Sequence, residues 1–226
     1  MLLTIDTCAK LCAASVSEGG AERGRSVRDI GTGHAEQLMD VIAEALVAAG
    51  SEHADISGVA VSVGPGSFTG IRVGVSAARG LALALGVPST GVGTIEAIAL
   101  ETRERFPERP VLVAIDARRE ELYVALFEAD GRMVHPPSVA TLADAAGMAA
   151  SLAAPVIAGS AAAMVAEAAG GPFEIASRAA TADISAYARL AHRQGFNDER
   201  PKPLYLRAPD AKPQASFVLP YRAVLA

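Results

Sequence analysis

Val111-Leu112-Val113-Ala114-Ile115-Asp116-Ala117 is followed by the charged turn Arg118-Arg119-Glu120-Glu121 and by a second apolar run, Leu122 to Glu128, closed by Asp130-Gly131. The chain opens with the same layout: Leu2 to Thr7 carries Asp6, a turn passes through Ala9-Lys10, and Leu11 to Ser17 is closed by Glu18-Gly19-Gly20. With Asp6 set on Asp116, the closing glycines Gly19 and Gly131 fall only two residues out of step. Short apolar runs bounded by turn residues read as strands. A unit met twice predicts two similar lobes rather than one continuous sheet. The lobes are expected over residues 1–102 and 103–226, with the charged, proline-containing stretch Glu101 to Pro110 at their junction.

Helices alternate with these strands. From His34 to Ala49 the apolar residues Leu38, Val41, Ile42, Ala45, Leu46 and Ala49 recur at helical spacing, and Gly50 stands where a C-terminal cap belongs. Ile56 to Val63 has the pattern of a buried strand; Gly64-Pro65-Gly66-Ser67-Phe68-Thr69-Gly70 is a glycine-rich loop, and a second helix is expected from about Ile71 to Leu85. Strand, glycine loop, helix is an α/β signature. Downstream, Pro155 to Gly159 reads as a short strand, Ser160 to Ala169 and Ala182 to Gln194 as alanine-rich helices, and Asn197 to Gln214 as an extended, proline-punctuated tail.

The 226 residues are 51% hydrophobic and 20% charged, which fits a folded globular chain and not a disordered one. Twenty Lys and Arg against twenty-five Asp and Glu give a net charge of −5, without the basic footprint of a protein that grips nucleic acid unaided. Aromatics are scarce at 4%, with no Trp, so stacking platforms have little to be built from. Cys8 and Cys12, the only cysteines, share one short apolar segment; this is no disulfide framework, and a cytoplasmic setting is expected. Met1 leads into Leu2 to Asp6 without a basic leader region. The apolar run Val73 to Val87 is broken by Gly74, Ser76, Arg79, Gly80 and Gly86, and no membrane span is expected of it.

Two aspartates at the ends of duplicated strands can face each other across a cleft, with the turns offering amides to phosphate, as in kinases and ATPases of the actin and sugar-kinase type. Asp6 and Asp116 are therefore candidate nucleotide-binding residues; the alternative is that they only terminate their strands. The turn Thr7-Cys8-Ala9-Lys10-Leu11 has no glycine, which restricts approach to a phosphate. The glycine loop is no P-loop, because no Gly-Lys-Ser/Thr follows it. His34, His53, His135 and His192 are too far apart in sequence to form a helical metal pair, and no Gly-x-Ser-x-Gly elbow occurs. No metal-ligating residue and no cofactor is expected. In the second helix Gly74, Ser76, Ala77, Ala78 and Gly80 are small, and Val73, Val75, Leu81, Leu83 and Leu85 make it apolar nearly all round. Such a helix is either fully buried or meets another chain, and with the first helix it could form half of a four-helix interface.

The run Gly64 to Gly74, the segment Gly80-Leu81-Ala82-Leu83-Ala84-Leu85-Gly86-Val87-Pro88, the opening Ile5-Asp6-Thr7 and the tail Pro203-Leu204-Tyr205-Leu206-Arg207-Ala208-Pro209-Asp210-Ala211-Lys212 together resemble the TsaB (YeaZ) family of bacterial threonylcarbamoyladenosine biosynthesis. That resemblance implies a two-lobed actin/Hsp70/sugar-kinase-like (RNase H-like) duplicated fold. It implies a non-catalytic paralogue of the transferase TsaD, pairing with it and joined by the ATPase TsaE, in modification of the adenosine 3′ of the anticodon in tRNAs reading ANN codons. Contact with tRNA is expected only within the complex, and a homodimer when the chain is alone. TsaD relatives carry a His-x-x-x-His metal motif, at whose positions this chain has Thr94 and Ile98, neither able to replace an imidazole. In this family the first-lobe helices form the partner surface, so Leu38, Ile42, Leu46, Val75, Arg79 and Leu83 are the expected interface residues. The competing readings are a metal-dependent peptidase or glycoprotease and a small-molecule kinase or ATPase of the same fold. Arg200, Lys202, Arg207 and Lys212 are either tRNA contacts or a solvated tail.

Overall fold

The computed structural model describes residues 1–197 and 199–207; Ala208 to Lys212 of the tail signature, and the rest of the tail to Gln214, lie outside the described residues. The first repeat runs β1 (Leu2–Asp6), β2 (Leu11–Glu18), β3 (Ala21–Asp29), α1 (His34–Ala49), β4 (Gly58–Gly64), α2 (Phe68–Leu85), β5 (Ser89–Gly93) and α3 (Thr94–Arg105). The second runs β6 (Val111–Asp116), β7 (Glu121–Phe127), β8 (Met133–Thr141), α4 (Leu142–Ala150), β9 (Val156–Ala158), α5 (Ala162–Ala169), β10 (Glu174–Ser177) and α6 (Ile184–Gln194). The sheets are ordered β3-β2-β1-β4-β5 and β8-β7-β6-β9-β10, so the second repeats the first strand for strand. In each, the leading hairpin is antiparallel and the strand after the first helix joins in parallel. The duplication extends well beyond the hairpins that announce it.

Strand parity sorts the side chains into layers. Leu3, Ile5, Ala14, Val16, Val59 and Val61 face α1 and α2. Leu112, Ala114, Leu122, Val124 and Ile157 share a cluster with α4 and α5 residues. A central core lies between the sheets: Ala60, Val92, Val111, Val113 and Ile115 close on Ile95 and Ile98 of α3 and on Ile184 and Tyr187 of α6. Helix α3 packs on β6, β9 and β10 as well as on β4 and β5, while α6, last of the second repeat, packs back on β1, β2, β4 and β5. The lobes share this core. The division expected between residues 102 and 103 falls inside α3, whose Thr102 is buried.

Local chemistry fixes the helix ends. Gly50 and Gly86 both take left-handed conformations (φ 63° and 68°), and their N–H groups cap the last turns of α1 and α2. Ser67 Oγ accepts the Gly70 N–H at 3.2 Å and starts α2 at Phe68, three residues earlier than the apolar spacing suggests. Strands β3 and β8, which the hydrophobic pattern does not reveal, are sheet-edge strands with mostly exposed or half-buried residues. Pro136 and Pro137 are tolerated in β8 because an edge strand has one unpaired side. Helix α2 is long and apolar enough to cross a membrane by length and composition only, as the core helix of a globular protein also can be. Here it lies on the first sheet with Ile71, Val75, Ala78 and Ala82 inward and Arg72 and Arg79 exposed.

Candidate functional site

The two hairpin turns use one local device in opposite settings. The Cys8 N–H donates to Asp6 Oδ1 at 2.9 Å, and the Arg118 N–H to Asp116 Oδ1 at 2.7 Å. In the second lobe the turn stands open, Asp116 is exposed, and its N–H donates to Ser160 Oγ at 2.9 Å. In the first lobe the glycine loop closes over the turn: the Ser67 N–H donates to the Cys8 carbonyl at 2.6 Å and Thr7 Oγ1 to the Gly70 carbonyl at 2.7 Å. A Cβ at Gly66 would overlap the Cys8 carbonyl oxygen, and one at Gly70 the Thr7 carbonyl oxygen, so the loop can seat only with glycine there.

Asp6 is consequently only 1% exposed, and its carboxyl is raised above the ordinary aspartate value by burial, against hydrogen bonds from Ser62, Cys8 and Thr181. Burial likewise raises the thiol of Cys8, which donates to Ser62 Oγ at 3.0 Å, and the phenol of Tyr187. The expected pair of facing carboxylates is therefore not formed: Asp116 lines the cleft between the lobes, and Asp6 lies sealed beneath its turn.

The expected interface residues divide the same way. Leu38, Ile42, Leu46 and Val75 are buried in the core between the two helices and the first sheet, and of the four only Leu38 also lines the floor of the groove between the helices. Helical spacing identifies the apolar stripe, and the sheet claims it. Arg79 and Leu83 do face outward, Leu83 with 78% exposure. Beside them Met39 and Val47 project from α1, the latter 79% exposed. A groove of about 480 Å³ runs between the helices, lined by Met39, Phe68, Arg72, Val73 and Ser76 among others.

Thr94 and Ile98 are buried in α3, in the central core. Among the described residues no three His, Cys, Asp or Glu side chains converge as a metal site would require. His34 opens α1 with Nε2 3.1 Å from the Leu11 carbonyl.

The sequence reading did not single out the arrangement at the tail. The Leu204 N–H donates to the Val63 carbonyl at 2.8 Å; Tyr205 packs on Phe68 with ring centroids 5.3 Å apart; Arg207 pairs with Glu121 and donates to the Ala117 carbonyl at 3.0 Å. The segment thus ties β4 and α2 to the second-lobe hairpin. It borders a cleft of about 1380 Å³ whose walls are both hairpin turns, the N-terminus of α1, the glycine loop and the Arg178 to Thr181 segment. The only sequence signal for this strap was its place in the tail signature.

The family model for TsaD, tRNA N6-adenosine threonylcarbamoyltransferase, matches residues 28–191. The chain is 33% identical over 132 residues to the tRNA threonylcarbamoyladenosine biosynthesis protein TsaB of Escherichia coli K12, covering 57% of this chain and 55% of that protein. It is 44% identical over 118 residues to a tRNA N6-adenosine threonylcarbamoyltransferase of Geotalea uraniireducens, covering 50% of this chain and 33% of the transferase. The matches thus span between a third and about half of those relatives' length. A crystal structure from Pseudomonas aeruginosa, described as a protein with similarity to peptidase YeaZ, superposes with a TM-score of 0.77 at 25% identity over 91% of this chain and 99% of that one. The family-model match over most of the chain and these similarities place the chain in the TsaD family, among its TsaB (YeaZ) members.

Proposed function

We propose that this chain is the non-catalytic partner of a TsaD-type transferase in forming threonylcarbamoyladenosine at the adenosine 3′ of the anticodon, in the cytoplasm. The observation that carries the reading is the outward face of α1 and α2. Val47 and Leu83, 79% and 78% exposed, stand on adjacent helices whose inward faces are already satisfied by the sheet. Burying two such side chains against a partner stabilises the pair by roughly 1.5–3 kcal/mol each before ordering costs. Buried Thr94 and Ile98 at the positions of the TsaD metal histidines support a helper role over a catalytic one. The transferase pairs with this face, a TsaE-type ATPase joins the assembly, and tRNA is engaged only there; alone, two copies share the same face.

The test is co-elution with the transferase and reconstituted tRNA modification. Val47→Glu with Leu83→Glu is expected to abolish co-elution and modification while leaving the chain folded. Full-rate modification by the transferase without this chain would overturn the reading.

A further inference from the structure

We propose that the interlobe cleft is a contact site for single-stranded RNA, made by Arg118 and Arg178 with Phe68 and Tyr205 beside them. The proposal rests on the tRNA-modification reading above and goes beyond it, since that reading needs only protein contacts from this chain. Its first support is charge. The chain carries more acids than bases, twenty-five to twenty, yet among the described residues the cleft lining holds Lys10, Arg118, Arg119, Arg178 and Arg207 against Glu36 and Asp116, with Lys10 paired to Asp29 and Arg207 to Glu121 at its edge. Arg118 and Arg178 are exposed and form no ion pair among the described residues, so their guanidinium groups face water with no carboxylate to displace. Asp116, the nearest acid in sequence to Arg118, is held by the Arg118 backbone N–H.

Aromatic placement is the second support. Of six Phe and four Tyr in the chain, Phe68, Tyr123 and Tyr205 line this one cleft; Phe68 and Tyr205, which pack on each other and on Arg72, each keep 43% of their surface exposed for a base to pack on. Cations that track a backbone beside rings that stack on bases are the chemistry of unpaired RNA. A composition poor in aromatics has concentrated three of them where the cations are. The third support is position: Ala35, Phe68, Thr69 and Val73 line both this cleft and the groove between α1 and α2. A nucleic acid held by a partner on those helices would reach the cleft without crossing the molecule.

The backbone of the second-lobe turn adds to this. Arg118, Arg119 and Glu120 all take left-handed conformations, φ 63°, 56° and 63°, which side-chain-bearing residues resist. Such backbone at an exposed turn holds two arginines in succession on the cleft wall.

The test is fluorescence anisotropy of a labelled ANN-reading tRNA on the reconstituted complex of this chain and the transferase, across a salt series. Arg118→Glu with Arg178→Glu is expected to weaken binding about tenfold, and Arg118→Gln with Arg178→Gln to make the slope of log affinity against log salt shallower by about 1.4, for two lost single-strand phosphate contacts. Co-elution with the transferase and thermal unfolding of both variants should match the unsubstituted chain. Unchanged affinity and slope overturn the proposal. So does loss of ATP or ADP binding with tRNA binding intact, which would make the cleft a nucleotide site. If the unsubstituted chain does not co-elute with the transferase, the partner reading fails by that result alone. The cleft is then decided on the isolated chain, whose low-salt binding of the same tRNA must be lost in the charge-reversed variant.

Discussion

The hydroxyl of Tyr205 accepts a hydrogen bond from Arg72 Nε at 2.8 Å, while the Arg72 guanidinium lies 3.7 Å from the centroid of Phe68. A residue near the end of the described chain and one in the first turns of α2 are thereby locked in one stack, although 133 positions separate them. Tyr205→Phe removes one hydrogen bond to a charged donor and is expected to cost about 1.5 kcal/mol. Tyr205→Ala also removes the ring contacts, bringing the loss to about 2–3 kcal/mol. Urea unfolding of the isolated chain measures both, and equal midpoints for all three proteins would show that the stack contributes nothing.

Glycines on α2 and its leading loop should respond in opposite directions. At Gly70 a Cβ would overlap the Thr7 carbonyl oxygen, so Gly70→Ala is expected to destabilise by more than about 2 kcal/mol. Gly80 has nothing within 4 Å of the position a Cβ would take, and Gly80→Ala is expected to stabilise by about 0.5–1 kcal/mol through helix propensity. Thermal unfolding of the pair tests whether close approach is what the loop requires.

The helix faces make a similar contrast. Ile42 is fully buried and Leu83 largely exposed, so Ile42→Ala should cost about 2–5 kcal/mol and Leu83→Ala less than about 0.5 kcal/mol. Equal losses in denaturant titrations would mean that the face taken as outward is covered in the isolated chain.

Asp6 predicts a pH dependence of definite sign. Its folded-state carboxyl is raised by burial, so the folded form holds its proton where the unfolded chain has released it. Stability is fully present below the ordinary aspartate value of 3.8 and falls as pH rises from there through the raised value. Asp6→Asn removes this titration. Its midpoint in urea should exceed that of the unsubstituted chain at neutral pH, with the gap narrowing toward pH 4. Glu96, raised by its own burial, contributes a slope of the same sign, and Glu44 and Asp144, lowered by hydrogen bonds from Ser26 and from Thr141, contribute the opposite one; all are common to both proteins and leave the gap unaffected. A wider gap in acid would contradict the assignment.

The second-lobe turn offers a stabilising change. Glu120 has φ 63°, a conformation glycine adopts freely, and Glu120→Gly is expected to gain up to about 1 kcal/mol. Glu120→Val should lose at least as much, because a β-branched residue resists that region most. Melting temperatures in the order Gly, Glu, Val would bear this out.

The hairpins with Asp6 and Asp116 were readable because both are central in their sheets, where burial enforces continuous apolar runs. The edge strand β3, Ala-Glu-Arg-Gly-Arg-Ser-Val-Arg-Asp, carries no such pattern since little of it is buried. Helix α3 was hidden in the stretch taken for a junction because its charged last turn, with Arg103 and Arg105, follows a buried first half. At the site, Leu83 and Arg79 were placed outward by the structure and Leu38, Ile42, Leu46 and Val75 inward, a distinction periodicity cannot make when both faces of a helix are apolar or small. Nor could spacing reveal the strap, since Tyr205 meets Arg72 only after the whole intervening chain has folded.

The packing of α6 onto β1, β2, β4 and β5 also sets an order of events during synthesis. Helix α3 meets the inner surface of the first sheet early, at β4 and β5, but the helix that packs over β1 and β2 is complete only when residue 194 has left the ribosome. Nascent chains shorter than that expose the β1–β2 part of an apolar sheet face, an adhesive surface that calls for chaperone protection until the last helix arrives.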